Sequence, residues 1–136
     1  MKNKQKWIIP LTAAGIVILF MIIFFVFSGG GGNKLNYETK TSGGEVVIDL
    51  TPNEYKYGKL YVGINVNTHT VDLEQFNLKQ LTTLNYSGTS IRPEQAPELK
   101  GHHNSGVLVF NVGKEVKGFS IIIMGVPDIN ERVFEW

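Results

Sequence analysis

The residues of this chain best suited to chemistry are three histidines and one aspartate in two short stretches. His69 and Asp72 stand in Asn67-Thr68-His69-Thr70-Val71-Asp72-Leu73, and the paired His102 and His103 stand in Gly101-His102-His103-Asn104-Ser105-Gly106. Neutral imidazole is a common ligand for zinc or copper, and a carboxylate can share the same ion. A set made of His69, Asp72 and one of the paired histidines would hold copper or zinc and leave a coordination position open. Neighbours in an extended segment point to opposite sides, so only one of His102 and His103 is expected to reach His69 unless a tight turn at Gly101 relaxes that limit. No H-x-x-x-H, H-E-x-x-H or cysteine pair accompanies them. Two other readings stand beside the metal. The histidines can hydrogen-bond loop backbone, with Asn67, Thr68, Asp72 and Asn104 as turn residues. They can also form a pH-responsive contact, because imidazole titrates near pH 6.5, an approximate reference value.

Catalytic arrangements fare worse. Ser105 stands two residues after His103, and Asp72 could complete a hydrolase triad. Yet Asn104-Ser105-Gly106 lacks the G-x-S-x-G elbow that exposes a nucleophile on a strained turn. Asp72 and Glu74 could share a face like a glycosidase pair, but neighbouring loop carboxylates are ordinarily solvated charges and no aromatic sugar platform adjoins them in sequence. The glycine run 29–32 has no strand before it and no lysine or helix start in register after it, so it is not a phosphate loop. The expectation is a binding protein and not an enzyme.

The elements that must position these side chains read as strands. In residues 59–67, Leu60, Val62, Ile64 and Val66 fall on one face, and Tyr61, Gly63, Asn65 and Asn67 on the other. Residues 45–50 form a β-branched run expected to stop at Thr51-Pro52-Asn53. A strand is expected over 80–86, ended by the turn pair Ser87-Gly88, with 89–92 pairing back. Residues 107–112 alternate with Leu108, Phe110 and Val112 inward, so the paired histidines fall in the loop before that strand. Residues 119–124 are nearly continuously apolar, the pattern of a central strand covered on both sides or of one facing a second protein surface. A last strand over 132–136 sets Phe134 and Trp136 on one side. A helical turn has room only near 74–79. About six to eight short strands with no sustained helix predict an all-β, immunoglobulin-like antiparallel β-sandwich over residues 45–136.

Ahead of it, residues 7–27 carry no charge and are almost wholly apolar, long enough as a helix to cross a hydrocarbon core of about 30 Å. A cleaved signal peptide is the rival reading, though its apolar region is ordinarily shorter and ends at small residues, whereas here the exit is Phe24-Phe25-Val26-Phe27-Ser28. Lys2, Lys4 and Lys6 in the tail 1–6 place the N-terminus in the cytoplasm by the positive-inside rule, so the sandwich is expected outside the cell membrane on a single-pass signal-anchor. Residues 28–44 form a Gly-rich linker followed by an irregular extension or weak first strand. Without cysteine there is no lipid attachment, disulfide or thiolate ligand. Taking the three N-terminal lysines from 13 basic against 12 acidic residues leaves ten against twelve, and no basic patch invites nucleic acid.

The blocks NTHTVDL (67–73), GHHNSGVLVF (101–110) and RVFEW (132–136) resemble the signature blocks of a family of uncharacterised prokaryotic envelope proteins with one immunoglobulin-like β-sandwich after an N-terminal apolar segment. The likeness covers roughly 45–136. It implies no activity, only that His69, Asp72, His102 and His103 belong to the family's pattern. That pattern carries a tryptophan shortly before the GHH block, and Arg92-Pro93-Glu94-Gln95-Ala96-Pro97 has none. The expected function is a non-enzymatic, membrane-tethered binding or assembly module for an envelope protein partner or a second copy. Metal binding or delivery through the loop histidines is the alternative.

Overall fold

The alternation over 59–67 builds the strand expected there, β4 (Lys59–Thr68), whose Leu60, Val62, Ile64 and Val66 are buried. The computed structural model describes Gly32–Trp136. The expected basic tail, the apolar span 7–27 and the linker up to residue 31 lie outside the described residues. Among the described residues no helix is long and apolar enough to cross a membrane.

A tight hairpin at Tyr57-Gly58, both at positive φ, joins β4 to β3 (Val46–Lys56). The expected stop at Thr51-Pro52-Asn53 is not taken. The register shifts between Pro52 and Glu54, and this bulge absorbs the proline, which has no N–H to give a ladder, so the strand runs on to Lys56. The extension ahead of residue 45 is also more ordered than its polar sequence suggested. Its β1 (Asn33–Lys34) and β2 (Lys40–Ser42) pair with two stretches of β3, while Leu35 and Tyr37 between them pack on the core. On the other side β4 pairs with β7 (His103–Asn111).

In the second sheet, β5 (Thr82–Tyr86) lies between β6 (Thr89–Ile91) and β8 (Ser120–Met124), and β9 (Glu131–Glu135) closes the far edge. The strand expected from residue 80 starts two residues later because a single helical turn, α1 (Leu78–Leu81), precedes it. Asn77 caps that turn, its Oδ1 accepting the Lys79 N–H at 3.0 Å, and Leu78 turns into the core. Every pairing in both sheets is antiparallel. Ile48, Leu50, Val62 and Phe110 from one sheet meet Leu84, Ile121, Ile123 and Phe134 from the other in one buried cluster. The chain is an all-β, two-sheet antiparallel fold.

Two differences from the sequence reading bear on function. The strand expected to begin at Val107 begins at His103, because β4 continues far enough to pair Asn67 with His103 and Asn104 with Val66. His103 is therefore a strand residue and not a loop residue. The apolar run 119–124 is central, as expected, but covered on one face only. Ile121 and Ile123 are fully buried, Ile122 is half-buried, and Met124 is 41% exposed.

Candidate functional site: the histidine end and the outer face of the second sheet

The hairpin turns at 57–58 and 87–88 and the connection 112–119 gather at one end of the sheets. The connections 69–77 and 125–130 gather at the other, and the connection 92–102 runs along the edge of β7 from Glu94, beside Lys59 and Asn111, to His102 at that end. The chain enters the domain at the hairpin end, where Gly32 sits against Glu54 and Lys56. All four sequence-derived site residues belong to the opposite end.

At the end of β4, buried Thr68 folds its hydroxyl back to accept the N–H groups of Thr70 and Val71 at 3.3 and 3.2 Å. The chain turns sharply there and leaves His69 exposed on the crest. Thr68 also donates its N–H to the His102 carbonyl at 2.9 Å, one step beyond the Asn67–His103 pair. That register makes His69 and His103 diagonal neighbours across two strands, on one face, within reach of ring side chains. Their imidazoles meet edge to face, centres 5.6 Å apart and planes at 79°. His103 Nδ1 lies 2.9 Å from Asn67 Oδ1.

His102 and Asp72 are placed differently. His102 contributes its backbone carbonyl to the ladder, and alternation turns its side chain from the face that carries His103. Asp72 Oδ1 accepts the Glu74 N–H at 3.1 Å and the Asp72 carbonyl accepts from Gln75 Nε2 at 2.9 Å, so this residue shapes its own turn. Among the described residues no three histidine, aspartate or glutamate side chains gather closely enough to hold one ion. Ser105 sits on β7 opposite Asn65, and His103 Nδ1 is already engaged by Asn67.

Sequence reasoning passed over Arg132, which lies under the same end. Its guanidinium is fully buried and donates to five acceptors: the carbonyls of Val46, Val126, Pro127 and Ile129, and Asp128 Oδ1 at 2.9 Å. Asp128 Oδ2 also accepts the Glu45 N–H at 2.6 Å. Gly44 makes room for this contact, since a Cβ there would fall 2.0 Å from that oxygen, and its φ of +113° suits glycine alone. Arg132 thus ties the connection 125–130 to the start of β3. The signal was in the parity: Arg132, Phe134 and Trp136 alternate on one inward face, with Asp128 four residues upstream.

Between the connections 69–77 and 92–102 lies a hollow of about 480 Å³, with Phe76, Ala96, Pro97 and Leu99 in its walls and Glu74, Lys79, Glu98 and Lys100 among its charged lining. Charge of both signs in it selects no ligand class.

The outer faces of the two sheets differ. On the first sheet the outward positions are largely polar, among them Asp49, Thr51, Asn65, Asn67 and Ser105, with Val47, Tyr61 and the 43% exposed Val107 between them. On the second, Thr83, Ile122 and Val133 stand side by side across β5, β8 and β9, and Met124 lies opposite Glu131. Val133 is 50% exposed, and Glu131 and Glu135 flank it along β9.

Set against models of protein families, against curated proteins and against solved structures, the chain matches none of them.

Proposed function

We propose that this protein is a non-enzymatic, membrane-tethered docking module that binds an envelope protein partner through the outer face of its second sheet. The observation that carries the reading is the apolar strip Ile122, Met124 and Val133 on a face where an antiparallel sheet ordinarily turns polar. On the outer face of the first sheet Val107 is exposed too, but it lies opposite Gly63 and beside the Asn65–Ser105 pair. The uncharged stretch 7–27 and the lysines before it support a single-pass anchor with the sheets outside the membrane.

The strand order supports an immunoglobulin-like sandwich. With β3, β4 and β7 taken as A, B and E, and β6, β5, β8 and β9 as C′, C, F and G, the sheets read A-B-E and C′-C-F-G. The docking strip then lies on the outer side of the C′-C-F-G sheet.

Glu131 and Glu135 bracket the strip, and among the described residues neither forms a salt bridge. The partner this face fits carries an apolar ridge flanked by lysine or arginine. The test is the size of the assembly in the native membrane. The full chain should sediment, after mild solubilisation, in a complex larger than itself, and the Met124→Lys/Val133→Lys double variant should sediment alone. Equal sedimentation of the two would sink the reading.

A further inference from the structure

The geometry points to a second function at the end of the sheets where β4 stops: His69 and His103 form a two-imidazole site for a late first-row divalent cation, copper before zinc. The site is independent of the docking face. Two observations carry it. The first is the distance. An imidazole bound at about 2.0–2.1 Å centres its ring roughly 3 Å from the ion, so two rings on one ion lie no more than about 6 Å apart. The 5.6 Å between His69 and His103 falls inside that limit, and because His69 is exposed, rotation about its side-chain bonds is free to turn a ring nitrogen toward the ion that His103 Nε2 faces.

The second is the tautomer. Asn67 Oδ1 can only accept, so in the neutral ring His103 carries its proton on Nδ1 and keeps the Nε2 lone pair free. This is the outer-shell arrangement that orients histidine ligands in metal sites, with one ring nitrogen donating to an oxygen and the other facing the ion. Asn67 and His103 are directly paired in the ladder, which fixes both the ring and its partner on rigid strands. Both histidines are exposed, so an ion reaches them without any opening of the fold.

The ligand class follows from the donors. Two neutral nitrogens without a carboxylate suit copper(II), nickel(II) or zinc(II) and not magnesium or calcium, and among these the divalent series favours copper. Asp72 is not a member, because its carboxylate caps the turn at Glu74, and His102 enters only through its backbone. The remaining coordination positions are left to water or to donor groups of a partner.

The test is a titration of the full chain in detergent micelles with Cu²⁺ in a non-chelating buffer, followed by calorimetry and by electron paramagnetic resonance. The native chain should take one Cu²⁺ with nitrogen hyperfine structure from two imidazoles. His69→Ala and His103→Ala should each weaken binding roughly tenfold or more, and Asn67→Ala should weaken it measurably by freeing the ring. His102→Ala should bind as the native chain does. His69→Asn and His103→Asn serve in place of any alanine variant that fails to fold. Absence of binding, undiminished binding by the His69 and His103 variants, or equal loss on replacing His102 would each overturn the assignment.

Discussion

Arg132 carries a large single-residue consequence for the domain. A buried guanidinium whose two terminal nitrogens donate to four carbonyls and a carboxylate is costly to remove from one side only, because its acceptors remain buried and unpaired. Arg132→Met should lower the unfolding free energy by about 3–5 kcal/mol. Asp128→Ala, which strips the partly exposed partner, should cost about 1–3 kcal/mol. Urea denaturation of both variants checks this, and a loss below 1 kcal/mol for Arg132→Met would show that the network adds little. The residue scale is also where the sequence was least legible. Parity placed Arg132 inward with Phe134 and Trp136, but a charged side chain is ordinarily kept outside, and nothing local announces that four carbonyls of a distant strand and a turn will surround it. The histidines were half legible. Alternation alone says that one of the pair faces His69, but choosing His103 requires the β4–β7 register, which no local pattern contains.

Among the elements, the edge of β7 shows how the fold guards an exposed ladder. Glu94 donates its N–H to the Val109 carbonyl and Val109 donates to the Gln95 carbonyl, so the segment 94–95 lies along that edge and shields it from a foreign strand. Lys59 and Asn111 both hold the Glu94 carboxylate, at 2.6 and 3.0 Å. The hydrogen bond from Lys59, with that from Asn111 behind it, pulls the Glu94 carboxyl below its ordinary range, and the same contact lifts Lys59 above its own. The signs set the window. Glu94, depressed in the folded state, stabilises above its unfolded pKa and loses that contribution as pH falls through the folded value. Lys59, raised, contributes below its unfolded pKa and stops as pH climbs through the folded one. Carboxyl NMR should therefore give Glu94 a midpoint below that of an unperturbed glutamate, and Lys59→Met should bring it back up. An unchanged midpoint in the variant would mean that Lys59 does not hold the clamp.

The same segment needs Gly106. A Cβ there would fall 2.5 Å from the Pro97 Cβ, so Gly106→Ala should cost about 1–3 kcal/mol as Pro97 is pushed away, read again from urea denaturation. At the other edge, a domain shortened to start at residue 45 loses β1, β2 and the packing of Leu35 and Tyr37. Its stability should fall by about 2–4 kcal/mol relative to residues 32–136, and equal denaturation midpoints would contradict this. Strong alternation made β4 legible to within a residue. The extension was not, because β1 and β2 are two and three residues long and their pairing is dictated by β3 and not by any periodicity of their own.

For the whole molecule, the division into two antiparallel sheets followed from short alternating runs and frequent turn residues, and that much was written in the sequence. Which of the sheets leaves an apolar face open was not. A continuous apolar run such as 119–124 reads the same whether its second face meets a helix, another sheet or a partner, and only the arrangement of β5, β8 and β9 decides it. The two outer faces differ, largely polar with Val107 exposed on the first sheet and an apolar strip with two acids on the second. Position-specific photo-cross-linking of the full chain in its native membrane tests the docking claim most directly. A benzophenone side chain placed at Met124 or Val133 should yield one discrete adduct, and the same probe at Asn65 or Ser105 on the opposite outer face should yield none. Adducts of equal strength from both faces, or from neither, would contradict the account.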